Sequence, residues 1–235
     1  MQSHELATAR AWAEINADAL IANYHSALSE LAPGVAHFAV LKANAYGFGA
    51  VPVSLILYGE GCRLFAFACM AEALEVAPHL PKDASLLIMG EIADAEMPLL
   101  FEHSILPTLF SFEKAQRLSA LAIKQKKTLS FHCKVDTGLN RLGFAMEEAV
   151  CEITRIAALP GLSLAGVFSH LQRRSRAHDE KQAQRLLEIH MALDALGVFV
   201  PMLHMLDSIG MWRYPQFQLD AVRDGAYLLG HVPKD

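Results

Sequence analysis

The stretch VAHFAVLKANAYGFGA, Val35 to Ala50, runs from a nearly unbroken apolar segment into a lysine and then into a glycine-rich loop. An apolar run of this length, interrupted only by His37, is the signature of a strand buried on both faces of a parallel sheet. It ends at Leu41, and Lys42 follows at once. An ammonium at the edge of an apolar core is costly unless it is neutralised, and a desolvated lysine is also a nucleophile. Upstream, Leu20, Tyr24, Leu28 and Leu31 recur at helical spacing, with Asn16 placed to cap the start and Gly34 just past the end. The unit is therefore a helix leading into a buried strand.

The same unit repeats along the chain. Strands are predicted at Val35–Leu41, Leu64–Ala68, Leu86–Met89, Ile105–Leu109, Thr128–Val135, Leu162–Phe168, Phe199–Leu206 and Leu219–Val222. Helices are predicted between them at Val51–Tyr58, Met70–Ala77, Ala93–Glu102, Phe112–Gln125, Glu147–Leu159 and Asp179–Leu196, with Ser111 as an N-cap and Gly197 past a C-terminus. The connection after the seventh strand is short. Eight strands with crossovers long enough for parallel pairing predict an α/β fold, a (β/α)8 TIM-type barrel with an extra N-terminal helix, forming one domain over residues 1–235.

Bulk properties narrow the function. Charged residues make up 19% of the chain and the formal net charge is -5, so there is no basic surface for a nucleic acid. No apolar run reaches the roughly 18 residues of a membrane span and no secretory h-region opens the chain. Cys62, Cys69, Cys133 and Cys151 form no paired or zinc-type spacing, and the eleven histidines contain no H-E-x-x-H, so no metal site is expected. A cytoplasmic protein acting on a small molecule fits these numbers.

A barrel also predicts where its chemistry gathers, on the loops at the C-terminal ends of the strands. Lys42 follows the first strand, Asp136-Thr137-Gly138-Leu139-Asn140-Arg141 the fifth, Ser169-His170 the sixth, Asp207-Ser208 the seventh and Arg223-Asp224-Gly225 the eighth. Taken singly, each has an ordinary reading: a solvated strand end for Lys42, a turn for Asp136 to Gly138, a satisfied core residue for His170, surface charges for Arg141 and Arg223. Their convergence on one rim favours a site. Arg173, Arg174 and Arg176 read as a solvated loop. Ser208 and the backbone near Gly225 occupy the usual phosphate seat of this fold, and a lysine at the opposite strand end calls for a carbonyl partner. Pyridoxal 5'-phosphate carries both groups and is held by its enzymes as a Schiff base with lysine.

The segments AVLKANAYGFG, KVDTGLNRLGF, GVFSH, DSIG and VRDGAYLLG resemble, in order and over nearly the whole chain, the motifs of the alanine racemases. The resemblance implies an isomerase that interconverts L- and D-alanine, the latter for peptidoglycan precursors, with pyridoxal 5'-phosphate as cofactor. It implies that Lys42 carries the cofactor and acts as one of two bases, and that Tyr46 meets the phosphate. It likewise places Arg141, with neighbouring Leu139, at the substrate carboxylate and cofactor oxygen, and His170 beside the pyridine ring. Lys134 corresponds to a lysine that some members carbamylate. Asp207, Ser208, Gly225 and Ala226 fall in the phosphate seat, and Arg223 faces the ring nitrogen. Because a guanidinium stays protonated, that last placement leaves the ring nitrogen unprotonated and favours racemisation over transamination.

Departures stand out against the resemblance. Asp207 replaces an asparagine, Phe48 a histidine, Asp224 a proline and Leu229 a tyrosine. The family continues into a β-rich C-terminal domain whose tyrosine is the second base in the partner subunit, whereas this sequence stops at Asp235. The second base is accordingly expected from a homodimer partner or a separate chain. The competing expectations are a non-catalytic pyridoxal-phosphate carrier made of a lone barrel, and a barrel enzyme for a phosphorylated substrate that uses no cofactor.

Overall fold

A computed structural model describes residues 14–231; the first thirteen residues, where a leader would begin, and the last four, which fall within the expected 1–235 domain, lie outside the described residues. The strands, in chain order, are β1 (Ala36–Val40), β2 (Leu64–Phe67), β3 (Ser85–Ile88), β4 (Ile105–Leu106), β5 (Thr108–Leu109), β6 (Leu129–Lys134), β7 (Leu162–Phe168), β8 (Leu203–Asp207) and β9 (Ala221–Asp224). All pairings are parallel, in the order β4-β3-β2-β1-β9-β8-β7-β6-β5. Strands β4 and β5 are two halves of one barrel strand, interrupted at Pro107, whose missing N–H cannot serve a ladder. The eight-stranded barrel closes through that strand.

The helices around it are α1 (Ala17–Ser29), α2 (Ala50–Gly59), α3 (Met70–Val76), α4 (Met97–His103), α5 (Phe112–Gln125), α6 (Met146–Ala157), α7 (Arg176–Ala195) and α8 (Ser208–Arg213). The caps follow the sequence: the Asn16 side chain accepts the Ala19 N–H at 3.0 Å, and the Ser111 hydroxyl accepts that of Lys114 at 3.3 Å. Alternation along the strands splits the core in two. Phe38, Val40, Ala66, Leu87 and Ala221 fill the barrel interior, whereas Ala39, Leu41, Phe65, Phe67 and Ile88 face the helices in the larger outer core.

Several boundaries differ from expectation. The seventh barrel strand begins at Leu203 rather than Phe199, which is 78% exposed. The eighth begins at Ala221 because Leu219 takes a left-handed φ of 54°, and it continues through Arg223 and Asp224. The connection after the seventh strand holds the short helix α8, and the predicted Ala93–Glu102 helix opens as a 3-10 turn at Asp94–Glu96 before α4. The strand-end residues are thus held by the sheet ladder itself, which fixes their direction more firmly than a loop would.

Candidate active site

At the C-terminal rim lies a cavity of about 570 Å³. Lys42, Tyr46, Lys134, Arg141, His170, Asp207, Ser208, Arg223, Gly225 and Ala226 all border it. Leu139 does not; its neighbour Leu142 does. Arg173, expected in a solvated loop, also borders it, with its Nε 3.5 Å from Asp207 Oδ2.

Lys42 is positioned by an unusual backbone. Ala43, Asn44, Ala45 and Tyr46 all take φ between 52° and 55°, a left-handed turn that costs an L-residue roughly 1–2 kcal/mol each. Four hydrogen bonds hold it. The Glu72 carboxylate on α3 accepts the N–H groups of both Ala43 and Ala68 at 2.7 Å, the Asn44 side chain accepts that of Ala50 at 2.7 Å, and the Ala45 N–H donates to the Leu41 carbonyl at 2.8 Å. The turn swings Tyr46 back toward the strand end, with its ring 5.7 Å from Lys42 Nζ. Glu72 is a residue the sequence alone did not single out, since a glutamate in the first turn of a helix ordinarily reads as solvated.

Tyr46 meets Gly225. A Cβ on residue 225 would lie 2.6 Å from the tyrosine hydroxyl and 3.0 Å from the Val40 carbonyl oxygen, so only glycine lets the two approach. Beside them the N–H groups of Gly225, Ala226 and Tyr227 converge on the Ser208 hydroxyl oxygen at 3.1, 3.0 and 3.4 Å. Successive amides aimed at one point form an anion-binding concavity. Burial first, then the Asp224 and Asp207 carboxylates, raise the pKa of the Tyr46 phenol, which keeps its proton as a donor.

The floor is built on Arg223, which is 4% exposed. Its Nη2 donates to the carbonyls of Ser169 at 2.7 Å and Met205 at 2.8 Å, and its Nη1 to His204 Nδ1. Accepting at Nδ1 requires His204 to carry its proton on Nε2, from which it donates to His132 Nδ1 at 2.9 Å. Gly166 makes room for this layer, because a Cβ there would strike the His132 ring at 2.6 Å. Burial and the Arg223 charge hold both histidines neutral, His132 at about 3 and His204 well below its usual value. Burial also lowers Arg223, to about 10, so it stays a cation and a donor at neutral pH.

His170 receives a longer contact from Arg223 Nη2, 3.4 Å to Nδ1, which turns its Nε2 toward Asp207 Oδ2 at 3.9 Å. Burial and then Arg223 push its pKa down to about 3, so it is a neutral wall of the cavity. On the far side, Lys134 ends β6 almost fully buried, and burial followed by the charges of Arg223 and Arg141 brings its ammonium down to about 7. Arg141 rides on a loop wound around one carboxylate: Asp136 Oδ1 accepts from Gly138 at 2.9 Å and Asn140 at 3.0 Å, and Oδ2 from the Arg141 N–H at 2.8 Å. The D-T-G segment is therefore a turn and also the mount for an arginine. Among the described residues no group of three or more His, Cys, Asp or Glu side chains is arranged to hold a metal ion.

A lysine, a concave anion seat opposite a tyrosine hydroxyl, and a cationic donor in the floor suit a flat, anionic carbonyl cofactor. The fold is that of an α/β TIM-type barrel, with this cavity on its C-terminal rim. Residues 15–233 match the family model described as "Alanine racemase, N-terminal domain", and the chain belongs to that family. It is 32% identical over 228 residues to an alanine racemase of Desulforamulus reducens, covering 95% of this chain and 61% of the relative. A solved alanine racemase of Clostridium difficile in complex with cycloserine superposes with a TM-score of 0.92 at 32% identity, covering 97% of this chain and 64% of that one. One from Bartonella henselae with covalently bound pyridoxal phosphate superposes with a TM-score of 0.81 at 26% identity, covering 92% of this chain and 62% of that one. The chain thus spans about three fifths of the length of these relatives.

Proposed function

We propose that the chain binds pyridoxal 5'-phosphate in the rim cavity and forms the barrel portion of an amino-acid racemase acting on alanine, serving the supply of D-alanine for peptidoglycan in the cytoplasm. The observation that carries this is the convergence of Lys42, Tyr46, Ser208, Gly225 and Ala226 on one cavity in a chain of the alanine racemase family. Lys42 would carry the carbonyl carbon, the Gly225 and Ala226 amides with Tyr46 the phosphate, and Arg223 the ring nitrogen. When bound, the cofactor supplies electron withdrawal from the substrate α-carbon.

The chain's own residues do the rest. Arg141 offers a guanidinium to the substrate carboxylate, which fixes the α-carbon relative to Lys42. The Lys42 amine then takes or returns the α-proton on one face. Arg223 offers only N–H hydrogen-bond donors and keeps its protons at neutral pH, so it would hold the ring without protonating it. His170, neutral and fixed by Arg223, closes one wall. Proton exchange on the opposite face needs a second carrier; Tyr46 is engaged at the phosphate end, so in this reading the carrier comes from a second subunit or a further segment. Among the described residues no helix is long and apolar enough to cross a membrane.

The test is incorporation of deuterium at the alanine α-carbon from heavy water by protein loaded with the cofactor. Lys42→Ala should reduce exchange by about 10²–10⁴, the range for loss of a positioned base. A cofactor-binding protein that exchanges no α-proton is instead a carrier, and a protein with no Lys42-dependent visible absorbance is neither.

A further inference from the structure

The seat that would receive the phosphate is partly filled by the chain itself. Ser208 Oγ sits at the focus of the three amides of Gly225, Ala226 and Tyr227, and its own proton goes elsewhere, to Asp224 Oδ1 at 2.5 Å. Asp224 is fully buried at the end of β9, where the Leu228 N–H adds a long contact of 3.4 Å to the same oxygen. Its other oxygen faces His37 Nε2 on β1 at 3.5 Å. A serine hydroxyl has one proton, so Ser208 cannot both donate to Asp224 and donate to a phosphate oxygen. A carboxylate directly behind the hydroxyl also opposes an incoming anion in surroundings of low dielectric. Asp207 differs, because its oxygens are engaged by the Gly210 N–H at 2.9 Å and by Arg173 at 3.5 Å.

We propose that Asp224 weakens the phosphate seat of this chain, by holding the Ser208 hydroxyl in the position of a phosphate oxygen and by placing a buried carboxyl group behind it. The cofactor is then retained chiefly through Lys42 and the ring contacts, and the chain discriminates poorly between pyridoxal 5'-phosphate and unphosphorylated pyridoxal. Asp224 acts here through Ser208 and is a positioning residue. The inference rests on the pyridoxal-phosphate reading of the cavity.

The ratio of dissociation constants, pyridoxal over pyridoxal 5'-phosphate, isolates what the phosphate contributes, and spectroscopic titration of the full chain measures it without turnover. Asp224→Ala, which removes charge and acceptor, should raise the ratio at least tenfold, and Asp224→Asn, which removes the charge alone, should raise it less. Ser208→Ala should leave the ratio unchanged or higher in the otherwise unaltered chain, yet lower it in the Asp224→Ala background, where the hydroxyl is free to donate. Ratios unchanged or lowered in both Asp224 variants would overturn the proposal, and so would a tenfold loss from Ser208→Ala alone. If Asp224→Ala fails to fold, as loss of pyridoxal binding would reveal, Asp224→Asn and Ser208→Ala still decide it. A chain that binds neither compound through Lys42 contradicts the cofactor reading itself, which separates the two failures.

Discussion

Lys134 shows how a single residue can report on the site. Its folded pKa lies at about 7, below the ordinary lysine value, so between about pH 7 and 10 the unfolded chain binds more protons than the folded one. Stability from this group is full above the unfolded pKa and is lost as pH falls toward 7. Relative to Lys134→Met, the unaltered chain should gain up to about 1.4 kcal/mol per pH unit across that window, read from urea unfolding at pH 7, 8 and 9. A difference that stays flat or shrinks with rising pH would mean that the fold does not lower the Lys134 pKa. In the sequence Lys134 stands near the end of the strand predicted at Thr128–Val135, and the family resemblance marks it as a lysine that some members carbamylate, but nothing there shows its charge to be perturbed. Its shift comes first from burial and then from Arg223 and Arg141, and only the folded barrel buries the ammonium and brings Arg223, far off in the chain, alongside it. Arg173 was hidden for a similar reason: three neighbouring arginines with no aromatic residue among them read as a solvated loop, until Asp207 on β8 proved to be a partner for one of them.

Among elements, the left-handed turn after β1 carries the most function per residue and was the least legible. Ala43 and Ala45 have no preference for positive φ, and only Asn44 and Gly47 hinted at it. The conformation is imposed from outside by Glu72 and by the Asn44 side chain. Ala43 is exposed at φ 52°, so Ala43→Gly should stabilise the fold by about 1 kcal/mol, because glycine adopts this region without steric cost. A lower melting temperature for that variant would contradict the assigned turn. Glu72→Ala should act in the opposite sense, costing about 1 kcal/mol for the loss of two hydrogen bonds at exposed residues whose N–H groups turn to water, and weakening cofactor binding. Cofactor affinity equal to that of the unaltered chain would show that the turn holds Lys42 without Glu72. Other elements were plain from sequence. The strand Leu162–Phe168 and the helix capped by Ser111 came out as read, since a mostly apolar run broken only by Ser163 and Gly166 and a serine before an amphipathic segment are local signals. The eighth strand was misplaced because its last two residues, Arg223 and Asp224, are charged yet buried, an arrangement that only their tertiary partners make tolerable.

At the scale of the whole molecule, the barrel explains why a lysine, a tyrosine, two arginines and a serine from far-apart segments meet. Every parallel strand ends on the same rim, so residues placed just at or after strand ends share a cavity whatever their distance in sequence. That rule made most of the site visible before the structure was known; what it could not supply was which neighbours neutralise, tilt or compete with those residues. Asp224 is the clearest case, a charge whose effect depends on where the Ser208 proton goes. If the rim cavity is a pyridoxal-phosphate site built on Lys42, borohydride reduction of the protein in the presence of the cofactor, followed by peptide mass mapping, should leave a single stable pyridoxyl modification on the peptide that contains Lys42. Modification of other lysines alone, or of none, would rule that site out.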